Sequence, residues 1–137
     1  MRDEGITNAK LMKRTPLEDA IAAAIRLTRT EPVLAERELR LLRARALRKG
    51  RSLEAAICLR GLAIAAGLRG DARKELAALR KLVIEAPTFL NLEALGLVLE
   101  RLGRREEAHA ILLKARRAAP VRPEQLVRVE AALARTR

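Results

Sequence analysis

The chain has few side chains that could carry out catalysis. Its 137 residues include one histidine, His109, one cysteine, Cys58, three aspartates and no tyrosine. Acid–base or nucleophilic chemistry needs such a group held against an oriented partner. His109 stands between Ala108 and Ala110 in a helical pattern, which predicts a solvated surface side chain. Cys58 stands within Ala-Ala-Ile-Cys-Leu, which predicts a buried, unreactive thiol.

Metal and nucleotide motifs are not found in the sequence. No Cys or His pair has the spacing of a metal site. The glycines of residues 61–70 follow no predicted strand and lack the Lys-Ser or Lys-Thr ending of a phosphate-binding loop. We therefore predict a protein that is not an enzyme, with no catalytic, cofactor-binding or metal-binding residues and no cofactor.

The expected location is the cytoplasm. A lone cysteine suits a reducing compartment, and the N-terminal Met-Arg-Asp-Glu-Gly leads into no apolar signal-peptide core. No apolar run reaches the roughly 18 residues that a membrane span needs.

Composition indicates an all-α fold. Half of the residues are apolar, but they are mostly Ala and Leu, with one Phe and no Trp. Ala, Leu, Arg, Glu and Lys are the strongest helix formers, whereas a sheet would want more β-branched and aromatic residues. Residues 1–14 are polar without sustained periodicity and are predicted to form a flexible arm, followed by a single domain over residues 15–137.

Capping residues, glycines and prolines divide the domain into seven expected helices. Thr15-Pro16-Leu17-Glu18 resembles a helix start with a capping box. Ser52, Asp71 and Thr88 are predicted to cap later helices. Further breaks are expected at Glu31-Pro32 and at the turns near Gly50, Gly70, Pro87, Gly103 and Pro120. Pro123 opens the last helix.

A pattern recurs at a fixed offset of 33 residues. Leu59, Leu62, Ala63, Ala66, Gly70, Leu79 and Pro87 are repeated as Leu92, Leu95, Gly96, Leu99, Gly103, Leu112 and Pro120. A period of this length is typical of stacked supersecondary units. Small residues at Gly96 and Ala108 predict a close crossing of two helices. Glu75 departs from the pattern and is expected to point outward or to pair with a cation such as Arg60 or Arg80.

The second copy resembles the tetratricopeptide (TPR) pattern, with leucines in place of its aromatic residues. The resemblance implies a right-handed stack of about three antiparallel helix pairs, an α-solenoid closed by a C-terminal capping helix. It also implies that the first helix of each pair lines a concave groove that receives a peptide or helix. By alignment the groove residues are Ile57, Arg60, Ile64, Leu68, Leu90, Glu93, Leu97 and Arg101.

Two functions remain open. One is a scaffold or chaperone-like module that holds an apolar helix or peptide of a protein partner in the groove. Alternatively, the groove is covered by a second subunit in a homo-oligomer, by the last helix or by the N-terminal arm, which contains Ile6, Leu11 and Met12. The other function is binding of nucleic acid or another polyanion, because Lys and Arg exceed Asp and Glu by 29 to 17. The candidate basic patch comprises Arg37, Arg40, Arg43, Arg48, Lys49 and Arg51.

Overall fold

The computed structural model describes residues 15–118 and 122–137, which form seven α-helices and no strand. The predictions for the arm at residues 1–14 and for the turn at Pro120 lie outside these residues. The helices are α1 (Pro16–Leu27), α2 (Pro32–Arg48), α3 (Ser52–Leu68), α4 (Ala72–Glu85), α5 (Phe89–Arg101), α6 (Arg105–Arg117) and α7 (Pro123–Thr136). The all-α prediction is confirmed.

Three of the four predicted side-chain caps are present. The hydroxyl of Thr15, the carboxylate of Asp71 and the hydroxyl of Thr88 accept backbone N–H bonds of 3.2, 3.1 and 3.3 Å, respectively. Each satisfies an amide that the first helical turn leaves without a partner. The prediction for Ser52 was wrong: Arg51 is the capping residue of α3, and its side chain makes no capping bond.

Glycines end three of the helices with the same backbone geometry. Gly50, Gly70 and Gly103 have φ of 67°, 73° and 79°, a region that other residues avoid. In each turn the residue after the glycine donates its N–H to a carbonyl five positions earlier, at 2.8 to 2.9 Å. This bond closes the helix end as in a Schellman motif. The predicted turns at these glycines are confirmed.

Each helix packs against the next one in sequence, and two pairs of alternate helices also touch. α1 packs against α3, and α5 packs against α7. Between α3 and α5, by contrast, no two Cα atoms lie within 8 Å. The backbones of α3 and α5 therefore do not approach each other closely, although buried side chains of both helices belong to one apolar cluster together with α4.

Two ion pairs fix the direction of α7 on α5. Arg128 donates to Glu93 at 2.8 and 2.9 Å, and Arg135 donates to Glu100 at 2.7 and 3.0 Å. The two carboxylates are seven residues apart, and so are the two guanidinium groups. Because the order is the same on both helices, α5 and α7 run in the same direction.

The apolar core follows the helix pairs, and small residues allow the helices to approach closely. Ala108 and Leu112 of α6 are fully buried. A Cβ atom added at Gly96 would lie 2.7 Å from Cγ and Cδ2 of Leu112, which is closer than real contacts allow. The predicted close approach at Gly96 is therefore present. Gly61 plays the same part toward α2, where an added Cβ would lie 2.8 Å from Leu39 Cδ1.

Candidate functional site

Cys58 and His109 line neither of the two cavities described below. Cys58 is completely buried, and burial raises the pKa of its thiol to about 11, so it stays protonated at neutral pH. His109 is half-buried rather than fully solvated as predicted, because its Nδ1 lies 2.9 Å from the hydroxyl of Thr136 on α7. Among residues 15–118 and 122–137, no three metal-ligating side chains come together.

An exposed aliphatic row runs along α3 and α5 at the positions that the TPR alignment indicated. On α3, Ile57, Ile64 and Leu68 are 38%, 40% and 57% exposed. On α5, Leu90 and Leu97 are 42% and 39% exposed. Within each helix a spacing of seven residues places these side chains on one face. Both helices therefore present aliphatic side chains to solvent.

The charged residues of the predicted groove have three different environments. Glu93 is only 8% exposed, because Arg128 covers it with two hydrogen bonds. The Arg128 guanidinium also lies 5.9 Å from the ring centre of Phe89. The prediction that Glu93 faces a partner is therefore corrected: α7 occupies its carboxylate. Arg101 is exposed and pairs with Glu75 at 2.5 Å.

Arg60 differs from the other charged groove residues. It lies on the exposed side of α3. No carboxylate oxygen of residues 15–118 and 122–137 lies within 4 Å of its guanidinium nitrogens, so it forms no ion pair there. Its guanidinium group is therefore available to a ligand.

The gap between α3 and α5 is an open cavity of about 730 Å³. α3 forms one wall, α5 forms the other, and the end of α4 with the turn at Pro87 forms the floor. The lining residues are Leu53, Ala56, Ile57, Arg60, Leu82, Ala86, Pro87, Thr88, Phe89, Leu90, Asn91, Ala118 and Gln125. We call this space the α3–α5 cavity. It brings together Ile57, Arg60 and Leu90 of the predicted groove, whereas Ile64, Leu68, Leu97 and Arg101 lie outside its lining.

A second open cavity, of about 350 Å³, lies between α1 and α3. Ile21, Ala22 and Ile25 of α1 and Leu53 and Ile57 of α3 line it. Glu18 and Glu54, whose carboxylates pair with Arg51, also belong to its lining. Since Leu53 and Ile57 line both cavities, the two spaces adjoin across them. Sequence reasoning missed Leu53, although it stands four residues before Ile57 and therefore on the same helix face.

The partner of Glu75 is also different from the predicted ones. Neither Arg60 nor Arg80 pairs with it, since Arg101 takes that place and Arg80 pairs with Glu107 at 2.6 Å. The carboxylate of Glu75 fits because Gly67 has no side chain: a Cβ there would lie 2.8 Å from Glu75 Oε2. The space for the larger side chain of α4 is thus provided by a glycine in α3.

Arg43 of the predicted basic patch is a structural residue. It is 9% exposed and donates hydrogen bonds to the carbonyl oxygen of Ala55 at 2.8 Å and to Glu85 at 3.1 and 2.6 Å. The hydrogen bond from Arg43 lowers the pKa of Glu85. The prediction that Arg43 contributes to a surface for polyanions is therefore corrected.

The remaining basic-patch residues are exposed or partly exposed and differ in their pairing. Arg40 pairs with Glu36, and Arg51 pairs with Glu18 and Glu54. Of these patch residues, Arg37, Arg48 and Lys49 form no ion pair with any residue in 15–118 and 122–137.

The paired carboxylates lie between the helix pairs. Glu36 of α2 is buried and receives Arg69 at 2.5 Å and Lys74 at 3.1 Å. Burial opposes its ionisation, but hydrogen bonds from Lys74 and Arg69 and the nearby positive charges lower the pKa of Glu36 overall. Part of the excess positive charge is therefore used to join α2 to the α3–α4 turn and α4.

Within residues 15–118 and 122–137, no helix combines the length and the apolarity that crossing a bilayer requires. Comparisons of the chain with protein-family models, with curated proteins and with solved structures found no match.

Proposed function

We propose that this chain is a non-catalytic protein-binding module that holds an apolar segment of a partner protein in a concave groove. In this proposal the helices form a right-handed, TPR-like stack: α1–α2, α3–α4 and α5–α6 are its pairs, and α7 closes its end. The module works in the cytoplasm as a scaffold or chaperone. The repeat of 33 residues and the like geometry of the turns at Gly70 and Gly103 support this arrangement.

The exposed aliphatic face of α3 and α5 is the observation that carries the proposal. Ile57, Ile64, Leu68, Leu90 and Leu97 are all between 38% and 57% exposed, although each is large and apolar. Single exposed leucines are common, but aliphatic side chains repeated on one helix face, two of them lining an open cavity, are typical of binding surfaces. Covering them with a partner releases ordered water and stabilises the complex.

A purely electrostatic role does not suit this face of the molecule. The α3–α5 cavity has one charged residue in its lining, so a polyanion would find little to neutralise there. An apolar helix or an extended apolar segment matches the lining better.

Substitution of Leu97 tests the proposal. Leu97→Glu places a charge on the aliphatic face of α5, while Leu95 and Leu99, which are buried, continue to hold the helix in the core. We expect normal helicity by circular dichroism and at least tenfold weaker binding of 16-residue peptides selected from a random display library on the wild-type protein. Sedimentation analysis would show whether a second copy of the chain covers the face instead.

Ile84→Glu is the matched control, because Ile84 is 81% exposed on α4 and lies outside the groove. The two variants should differ in peptide binding and agree in helicity. If the library yields no apolar peptide and the chain stays monomeric, or if both variants bind equally well, the proposed function is wrong.

A further inference from the structure

The lining of the α3–α5 cavity combines a large apolar surface with a single charge. The larger apolar members are Leu53, Ile57, Leu82, Pro87, Phe89 and Leu90, and Arg60 is the only charged member. A cavity of about 730 Å³ lies within the range of ligand-binding sites and can take several side chains. An occupant must therefore be mainly apolar.

The available polar groups in this lining are donors more than acceptors. Arg60 has no carboxylate partner in residues 15–118 and 122–137. The oxygen of the Gln125 side chain accepts the N–H of Arg122 at 2.9 Å, which leaves its amide N–H groups to point elsewhere. The Thr88 hydroxyl accepts the N–H of Asn91, and Asn91 donates to the carbonyl of Ala86. A negatively charged acceptor on the ligand would complement this arrangement.

The cavity adjoins further apolar surface beyond α3. Across Leu53 and Ile57 it meets the cavity between α1 and α3. A bound polypeptide therefore has surface on which to continue beyond the α3–α5 cavity, as a segment whose carboxylate belongs to a side chain requires.

We propose that the α3–α5 cavity binds an apolar protein segment that carries one aspartate or glutamate, whose carboxylate pairs with Arg60. This inference rests on the proposed function and adds the charge of the partner to it. Apolar contacts with Leu53, Ile57 and Leu90, the exposed apolar members of the lining, supply most of the affinity. Arg60 selects the segment and sets its register.

The test uses the full chain and fluorescein-labelled peptides selected from the 16-residue display library. Each selected peptide is also made with its acidic residue replaced by glutamine and by lysine, and the affinities are measured by fluorescence anisotropy. The wild type should prefer the acidic peptide to the glutamine peptide by about two- to fivefold, as for a partly exposed ion pair. The lysine peptide should bind least well.

Charge reversal at Arg60 should invert this order. In Arg60→Glu the lysine peptide should bind best, and the effect should shrink at high salt because an exposed pair is screened. Arg37→Glu is the control, since it changes the net charge equally on an exposed site of α2 and should leave the order unchanged. An unchanged order in Arg60→Glu would overturn the pairing.

Leu90→Glu separates this inference from the proposed function. If Leu90→Glu abolishes peptide binding but the order of peptide affinities does not depend on the charge at residue 60, the inference is refuted and the proposed groove still stands. Binding that is insensitive to Leu90→Glu would refute the site itself. A photo-crosslinker in place of Leu90 should label the peptide; labelling of residues 1–14 or of a second copy, with peptide present in excess, would contradict the proposal.

Discussion

Arg43 and Glu85 are 42 positions apart in the chain, yet two hydrogen bonds of 3.1 and 2.6 Å join them. They link α2 to the end of α4, and Arg43 also holds the backbone carbonyl of Ala55 on α3 at 2.8 Å. A single side chain thus connects three helices.

Arg43→Met should lower the free energy of unfolding by about 1–3 kcal/mol, because it leaves a buried carbonyl without its donor and removes a partner from Glu85. Urea denaturation followed by circular dichroism measures the effect. Arg37→Met on the exposed face of the same helix is the control and should change stability by less than about 0.5 kcal/mol. Equal effects of the two variants would contradict the structural role of Arg43.

Acidification should destabilise the protein through its paired carboxylates. The pKa values of Glu36, Glu54, Glu85 and Glu100 are held below the ordinary value of 4.5, chiefly by hydrogen bonds from Arg and Lys that outweigh the effect of burial. Groups with a lowered pKa stabilise the folded state above their unfolded pKa and lose this contribution as the pH falls through the folded pKa.

Unfolding free energies measured in urea should therefore be nearly constant around neutral pH. They should decrease once the pH drops below about 4.5. Glu100→Gln should be less stable than the wild type at pH 7, and the difference should shrink at pH 3. Stability that rises on acidification would show that the ion pairs do not act as described.

The close approach at Gly96 should not tolerate a larger residue. Gly96→Ala places a methyl group 2.7 Å from the side chain of Leu112 and should cost about 1–3 kcal/mol, despite the better helix propensity of alanine. Thermal denaturation measures the change. Combining it with Leu112→Val should cost less than the sum of the two single changes, because the shorter side chain makes room; strict additivity would argue against contact.

The exposed cations of α2 and its following turn provide the test of polyanion binding. Arg37, Arg48 and Lys49 are the residues to reverse to glutamate, since Arg43 is buried and its reversal would unfold the chain. If these residues bind a polyanion, the triple variant should elute from heparin at markedly lower salt than the wild type. If the two proteins elute at the same salt concentration and have the same circular dichroism, this patch is not a polyanion-binding surface.

Local signals predicted the helices well because capping and glycine turns act within a few residues. Asp71, Thr88 and Gly50 each perform the expected task. The prediction for Ser52 was wrong because a serine inside the first turn and a serine at the cap look alike in sequence. Only the backbone conformation distinguishes the two positions.

The site was predictable only in part. The resemblance to the TPR pattern indicated Ile57 and Leu90 as groove residues, but the cavity between α3 and α5 depends on how whole helices pack. Arg43 stands four residues after Leu39 and three before Ala46, so helical spacing alone could have placed it beside the buried face, unlike Arg40. Glu93 pairs with Arg128 across 35 positions, a relationship that no short pattern encodes.

The backbones of α3 and α5 do not approach each other closely, and α4 lies between the two halves of the chain for this reason. In the described residues, the N-terminal three helices and the C-terminal three helices come within backbone contact distance of each other only through α4. Leu82 of α4 is 1% exposed in the core and also borders the α3–α5 cavity. A small tilt of this one helix would change the width of the cavity, so a substitution in the core could alter ligand preference while every exposed side chain stays the same.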